Sequence, residues 1–407
     1  MSDALNTRAL KPPPGLVLRA VSNSVVRLLG RGIRTGSLRV ELPSGQGVAL
    51  GDAAALPPAV WQLASLKALW RAYARGDLGF AESYLEGEWD SPDLTHLLLV
   101  LGRNERPKGD VLGGALPVRW VDRWQHWQRR NSPQQSLRNI AYHYDLGNQF
   151  YAEWLDPSMT YSSAMFAGSE DTLESAQQRK YQHLADLIEL SAGDEVLEVG
   201  CGWGGFAEHA LKAGAHVHGI SLSQEQTHYA RQRLQRLDCG GQSQLEIRDY
   251  RELVRRYDRI ASIEMLEAVG ERYWPAYAAM LKAALRPGGL AGIQTITIAP
   301  QRFARYRRQP DFIQRYIFPG GMLPSEPVLA QVFANAGLRI SHTQRFGLDY
   351  ARTLLLWRER FEAAWPRIQA LGFDERFRRM WRYYLCYCEA GFRLGVVDVV
   401  QLRVEHA

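Results

Sequence analysis

Cysteine is scarce: four residues in 407, namely Cys201, Cys239, Cys386 and Cys388. They are too few and too scattered for a disulfide scaffold. Cys386 and Cys388 stand two apart, which is not the C-x-x-C spacing of zinc or redox sites, so no metal centre is expected. Nothing approaches the ~20 uninterrupted apolar residues of a membrane-spanning helix. The start, Met1 to Gly15, is polar and then proline-rich. It lacks the basic-then-apolar order of a secretory signal, so a cytoplasmic protein is expected. Internal repeats and low-complexity tracts are also missing.

What is present suits a globular chain. An apolar fraction of 46% and a charged fraction of 23% allow a large core and exclude wholesale disorder. At ~100–200 residues per domain, the length suggests two domains or three. The net charge of +6 and pI near 9.1 fit nucleic acid or an anionic membrane surface equally well. Arginine is interleaved with aromatic residues: Arg119-Trp120, Arg123-Trp124, Trp127 with Arg129-Arg130, Arg302-Phe303, Arg305-Tyr306, Arg315-Tyr316, and Arg378-Arg379 with Trp381-Arg382. Each cluster alone also reads as a solvated helix face with a core anchor. As a set they suit a water–lipid interface, where the ring is apolar and the cation meets phosphate.

The chain falls into three parts. In residues 1–118, Leu38, Val40 and Leu42 alternate before a Ser44-Gly45 turn, and Val48 and Leu50 continue the pattern. Pro57 to Arg75 reads as a helix and Leu94 to Leu101 as an apolar run, so a small α/β domain is expected. Residues 119–139 belong to a Trp- and Arg-rich connection that includes the helical stretch Val118 to Arg130. Over residues 140–407, strand-like runs (Glu195–Val199, Val217–Ser221, Gln244–Ile247, Arg259–Glu264, Leu290–Ile298) alternate with helical ones (Asp171–Leu190, Ser223–Leu237, Trp274–Leu285). That alternation predicts a doubly wound parallel sheet of α/β class. Val396 to Val404 closes the chain as a strand.

Glu195-Val-Leu-Glu-Val-Gly-Cys-Gly-Trp-Gly-Gly-Phe is a strand running into a glycine turn and then a helix. Gly200, Gly202 and Gly204 allow a sharp turn and close approach to a ligand. Nicotinamide, flavin and adenosylmethionine enzymes all use such turns. A dinucleotide site places an acid about 20 residues on, at the tip of the second strand. Here that strand ends Gly219-Ile-Ser-Leu-Ser223, without one. The acid instead precedes the turn, at Glu198, an order typical of adenosylmethionine methyltransferases. The turn Leu285-Arg-Pro-Gly-Gly-Leu fits the same class.

Five stretches resemble the cyclopropane-fatty-acyl-phospholipid synthases and the related mycolic acid methyltransferases. They are His143-Tyr-Asp-Leu-Gly-Asn-Gln-Phe-Tyr with Met159-Thr-Tyr-Ser-Ser-Ala; Val196-Leu-Glu-Val-Gly-Cys-Gly-Trp-Gly; Gly219-Ile-Ser-Leu-Ser-Gln-Glu-Gln; Ser262-Ile-Glu-Met-Leu-Glu-Ala-Val-Gly; and Phe346-Gly-Leu-Asp-Tyr with Tyr384-Leu-Cys-Tyr-Cys-Glu-Ala-Gly-Phe. The match runs from about Ile140 to the end, in the family's order. Gly79–Asp90 also resembles the amino-terminal domain of the longer bacterial synthases, which is thought to help hold lipid.

The resemblance implies a Rossmann-like methyltransferase domain that moves methyl from adenosylmethionine to a cis double bond of a phospholipid acyl chain, usually closing a cyclopropane. A bound bicarbonate is thought to be the base, in a cradle that here would be Ser163, Glu267, Gln294, Tyr350 and Cys388. Cofactor contacts would be Tyr161, Ser162, Glu198, Gly200, Cys201, Gly202, Trp203, Gly204, Ser221, Leu222, Ser223, Gln226, Asp249 and Tyr250. Gln301–Phe318 follows the fifth strand, where methyltransferases often insert substrate-binding parts, and reads as a lipid gate or, alternatively, as a solvent-exposed helix. Ser163 stands where many members have Cys, Gln294 where many have His, and Ser221 where Thr is common. Glu264-Met-Leu-Glu267-Ala-Val differs from the Phe-Glu-His-Val of many synthases. These departures leave methyl transfer intact and ring closure open.

The expected partners are an anionic inner-leaflet bilayer and an unsaturated acyl chain, with no nucleic acid; a homodimer is left open. Three rivals remain: non-cyclising methylation of the same chains, a catalytically impaired lipid-binding protein, and a nucleic-acid methyltransferase. The last rests on charge alone and lacks an Asp/Asn-Pro-Pro-aromatic motif.

Overall fold

The computed structural model describes residues 32–52, 57–105, 146–237 and 241–407. The connection 119–139, the helical stretch Val118–Arg130, Cys239 and His143 lie outside them. The chain divides into two compact units between Leu116 and Pro117.

In the first unit, alternation of apolar residues sets the sheet. Strands β1 (Ser37–Glu41) and β2 (Gly47–Gly51) pair across the Ser44-Gly45 turn, with Val40 opposite Val48. Pro57–Arg75 is not one helix. Ala59–Leu63 forms strand β3, parallel to β1. Ala59, Trp61 and Leu63 are buried while Val60 and Gln62 are more open, a period of two that five residues do not distinguish from a helix start. Helix α1 (Lys67–Leu85) follows, bent at Gly76. Strand β4 (Trp89–Asp90) completes the order β2-β1-β3-β4. Helix α2 (Leu94–Arg103) begins where the Asp93 carboxylate accepts the His96 N–H at 2.9 Å. The core is aromatic: the Phe80 and Trp89 ring centroids are 4.2 Å apart, and Trp61 packs edge-on against both.

The second unit opens with helices α3 (Asn148–Ala152) and α4 (Leu173–Leu187). Then come β5 (Glu195–Val199), α5 (Gly205–Lys212), β6 (His216–Ser221), α6 (Gln224–Gln235), β7 (Ser243–Ile247) and β8 (Tyr257–Ile263). Next are α7 (Leu266–Val269), α8 (Trp274–Ala284), β9 (Leu285–Ile298), α9 (Pro300–Tyr306), α10 (Glu326–Asn335) and β10 (Leu338–Arg345). The chain ends with α11 (Gly347–Ala370), α12 (Glu375–Arg393) and β11 (Val397–His406). The sheet order is β10-β11-β9-β8-β5-β6-β7.

Strands β5 to β9 are parallel, as the strand–helix alternation predicts. The far edge is not. Strand β11 runs antiparallel to β9, and β10 antiparallel to β11. Strand β10 escaped the sequence reading because Leu338-Arg-Ile-Ser-His-Thr-Gln-Arg holds only scattered apolar residues, as suits a half-wet edge.

Side-chain alternation makes the sheet two-faced. Val196 of β5 packs with α4 and α5 through Leu184, Ile188 and Phe206. Leu197 and Val199 turn the other way, towards Trp274, Tyr277 and Leu281 of α8. The chain winds outward from β5 to β7 and then returns to β8 on the other side of β5. The strand order therefore reverses between β5 and β8. Ligands bind at such a reversal, beyond the carboxyl ends of the strands.

Helices α11 and α12 form a hairpin inserted between β10 and β11. Trp154, Trp357 and Trp381 meet edge to face at 5.7–5.9 Å and pin the hairpin to the chain after α3. Trp381 is thus a core anchor, 1% exposed. Arg378 lies over the Trp365 ring and pairs with Glu362. Gln301–Phe318 starts as helix α9, which has no buried residue, and then turns inward. After α9 it forms a π-turn (Ile313–Ile317), and Phe312 packs on Tyr383 of α12 with centroids 4.7 Å apart. The clusters Arg119-Trp120, Arg123-Trp124 and Trp127–Arg130 lie outside the described residues. Among the described residues, no helix is long and apolar enough to cross a membrane.

Candidate active site

A cavity opens beyond the carboxyl ends of β5 and β8, at the strand-order reversal. Its floor is the glycine turn. Gly200 has φ +81°, and an added Cβ would lie 2.9 Å from Cγ of Met265. Gly204 opens α5 in the left-handed region, with Ala230 3.1 Å from where its Cβ would be. Only glycine fits both demands, which is why the turn can sit so close to a ligand.

Of the cofactor residues implied by the resemblance, Tyr161, Ser162, Glu198, Gly200, Cys201, Gly202, Trp203, Ser221, Leu222, Gln226 and Tyr250 line this cavity. Three do not. Gly204 holds the helix start, Ser223 caps α6 by accepting the Gln226 N–H, and Asp249 is turned onto Arg251. Arg248, Tyr250 and Arg251 line the wall beside Asp249 instead.

One wall, Met159–Ser162, is held from behind by α4. Gln177 Nε2 donates to the Ser162 carbonyl at 2.9 Å, Lys180 Nζ donates to Ser162 Oγ at 2.7 Å, and Tyr181 bonds Thr160 at 2.8 Å. Burial pulls the Lys180 ammonium down to about 7, against the pull of Glu264, Asp156 and Glu198. Burial also pushes the Glu198 carboxyl up to about 8, although the Ala207 backbone N–H favours its charge. Glu198 Oε2 has no partner within the fold. A cavity-lining carboxyl with a spare oxygen fits a cationic ligand bearing hydroxyl groups, as adenosylmethionine is.

The residues of the expected anion cradle take different places. Ser163 N–H donates to Glu264 Oε1 at 2.8 Å, and Gln294 Nε2 donates to the same oxygen at 2.8 Å. The Tyr350 hydroxyl donates to Glu264 Oε2 at 2.6 Å. Ser163 Oγ is spent on the Ala164 carbonyl. The centre of the cluster is therefore Glu264, which the sequence reading quoted in a motif and gave no role. These donors are filled and do not fit a second anion beside Glu264.

Glu267 sits apart. Its Oε1 accepts from Thr295 Oγ1 at 3.0 Å and from the Ile296 N–H, and its Oε2 is buried without a partner. Burial first, and the Glu264 charge second, push its carboxyl up to about 8. Cys388, on α12, has its thiol pushed up by burial and by the Asp311 charge. It makes no hydrogen bond to Ser163, Gln294 or Glu267 among those the structure gives. Its helix also carries Tyr384, whose hydroxyl meets that of Tyr161 at 2.9 Å.

Gln294 is aimed from behind. Gln401, its register partner on β11, donates to Gln294 Oε1 at 2.9 Å. Gln401 Oε1 in turn accepts from His183 Nδ1 at 2.5 Å. Each amide's oxygen is occupied, so its nitrogen points forward, and the chain of donors ends on Glu264. Glu264, Lys180, Gln401 and His183 are the residues that sequence reasoning missed. Lys180 had one signal: it shares the buried helical face of Gln177, Tyr181 and Leu184.

Residues 131–402 match the family model described as mycolic acid cyclopropane synthetase. The chain is 40% identical to tuberculostearic acid methyltransferase of Mycobacterium tuberculosis, over 96% of this chain and 93% of the relative. It is 35% identical to cyclopropane-fatty-acyl-phospholipid synthase of Escherichia coli, over 89% and 91%. A crystal structure of a mycolic acid cyclopropane synthase complexed with S-adenosylhomocysteine superposes with a TM-score of 0.62 at 31% identity, covering 66% of this chain and 97% of that one. The glycine turn, the cavity at the strand reversal and these matches agree: the chain belongs to the mycolic acid cyclopropane synthetase family of adenosylmethionine-dependent methyltransferases.

Proposed function

We propose that this enzyme methylates cis double bonds in the unsaturated acyl chains of bilayer phospholipids. The observation that carries the reading is Glu264. A hydrogen-bonded carboxyl lines the same cavity as the glycine turn, beside the apolar side chains of Ile263, Met265 and Val269. A stretch of wall that sets an oriented carboxyl among apolar side chains suits a hydrocarbon substrate, which offers no polar handle.

Bound adenosylmethionine supplies a methyl on a sulfonium, a strong electrophile that a weakly nucleophilic alkene can attack. The glycine turn brings backbone close to that cofactor, and Glu198 and Gln226 offer it hydrogen bonds. Enclosure by Tyr161, Trp203 and Met265 keeps water from the cation left on the chain after transfer. A proton must then leave that chain.

Two products stand open. Ring closure gives a cyclopropane, in line with the Escherichia coli relative's name. A non-cyclising methylation is favoured by one observation: the relative matched at 40% is named a methyltransferase for tuberculostearic acid. In the first unit, Trp70 and Tyr73 of α1 are exposed and in ring contact. They support a role for that unit at an inner-leaflet surface. Incubation with adenosylmethionine and vesicles of an unsaturated phospholipid tests the reading. A gain of one CH₂ per acyl chain is expected. Upfield cyclopropane protons in the NMR spectrum separate ring from open chain. No gain across several double-bond positions sinks the reading.

A further inference from the structure

We propose that Glu264 is itself the base that completes the reaction, so that this chain needs no bicarbonate. The inference rests on the methyl-transfer reading above and adds the identity of the proton acceptor.

Three donors from three separate elements converge on this one carboxylate. They are the Ser163 N–H from the loop after α3, Gln294 from β9 and Tyr350 from α11. Such a convergence is how a protein holds an anion in an apolar site. Here the anion is part of the chain. A free bicarbonate in the same seat would find its donors taken and would face a like charge at contact distance.

The backbone supports the assignment. Glu264 has φ +49°, a left-handed conformation that side chains other than glycine's rarely adopt. It stands one residue past the end of β8, at the strand reversal, and lines the cofactor cavity. Strain kept at such a place points to a function for the side chain it directs. Glu267 is the weaker candidate. It does not line that cavity, and one of its oxygens is committed to Thr295 and Ile296. Burial pushes the Glu264 carboxyl up, as suits a proton acceptor, while the three donors and, last, the Lys180 charge pull the other way.

The step balances as follows. The alkene π electrons form a C–C bond to the incoming methyl carbon as its C–S bond breaks, which leaves a cation on the neighbouring chain carbon. Glu264 takes a proton from the new methyl group. The C–H electrons then close a bond to the cationic carbon, giving the ring. After a 1,2-hydride shift they form a C=C bond instead, giving a methylene branch. One base position serves both products. Protonated Glu264 returns its proton to water before the next turnover.

The full chain is assayed on unsaturated phospholipid vesicles in buffer stripped of carbon dioxide, with and without millimolar bicarbonate. Wild-type turnover is expected to be the same in both. Glu264→Gln is expected to lower turnover by about 10²–10⁴-fold, the usual worth of a positioned base, with adenosylmethionine affinity by calorimetry unchanged. Glu264→Gly empties the seat and relaxes the backbone. It is expected to bind ¹³C-bicarbonate, seen as broadening of the carbon resonance that wild type does not cause, and to regain turnover when bicarbonate is added. Three results overturn the assignment: wild-type turnover that needs bicarbonate, wild type that broadens its resonance, or Glu264→Gln with undiminished turnover. Wild type that modifies no acyl chain at any bicarbonate level removes the methyl-transfer reading itself, a distinct outcome.

Discussion

The Tyr350 hydroxyl lies 2.6 Å from Oε2 of Glu264, although 86 residues separate them in the chain. The contact joins the first turn of α11 to the end of β8 and so ties the helical hairpin to the catalytic edge of the sheet. Tyr350→Phe removes the donor and leaves the ring, which stacks on Phe392 at 4.5 Å. A hydrogen bond to a charged group is worth about 1.5–3 kcal/mol. Turnover is therefore expected to fall by about 10–100-fold, while adenosylmethionine affinity stays within about twofold. Equal losses in binding and turnover would instead mark Tyr350 as a packing residue.

Gly200→Ala puts a methyl 2.9 Å from Met265 on a backbone at φ +81°. The strain is of order 1–3 kcal/mol, and it falls on the turn that approaches the cofactor. Calorimetry is expected to show adenosylmethionine binding weakened by at least about tenfold. An affinity equal to wild type would mean the ligand lies elsewhere.

Glu198 links cofactor binding to pH. Burial holds it near 8 in the free protein, so it is largely protonated at neutral pH. A cationic ligand favours the ionised form. Binding is then expected to release protons between pH 6 and 8 and to tighten over that range, levelling off above about pH 8. Calorimetry in buffers of different ionisation enthalpy reads the proton directly. Glu198→Gln should remove both effects; a proton release that persists in the variant assigns it to another group.

Glu267 makes the fold sensitive to base. Its folded value of about 8 exceeds the ordinary 4.5. The stability this gives is full below about pH 4.5 and is lost as pH rises to about 8, because the unfolded chain ionises and the folded one does not. Glu267→Gln is always neutral and keeps the shape. Its melting temperature is expected to fall less than that of wild type between pH 5 and 8. Parallel pH profiles would show that Glu267 does not carry the shift.

Much of the site was legible because backbone geometry demands particular residues. The glycine turn, the acid at Glu198 and the parallel strands β5 to β9 follow from glycine spacing and apolar runs. The antiparallel edge was not legible, since β10 is mostly polar and its partner β11 comes some fifty residues later. Glu264 and Glu267 stand three apart after one strand, and both are acids at the right place. The fold turns Glu264, at φ +49°, and not Glu267 onto Ser163, Gln294 and Tyr350. Gln401 lies inside the apolar run Val399-Val-Gln-Leu402, where a lone amide reads as an irregularity until its register partner Gln294 is known. Cys388 was tied to the cradle by resemblance alone, and the fold places it with Asp311 and Tyr384.

The most direct measurement uses adenosylmethionine carrying a trideuterated methyl, with vesicles of a monounsaturated phospholipid, and mass analysis of the released acyl chains. Transfer to the alkene followed by removal of a proton from the same methyl leaves two deuterium atoms on each modified chain, whether the product is a ring or a methylene. Chains that keep all three, or chains left unmodified although the donor binds, would contradict the account.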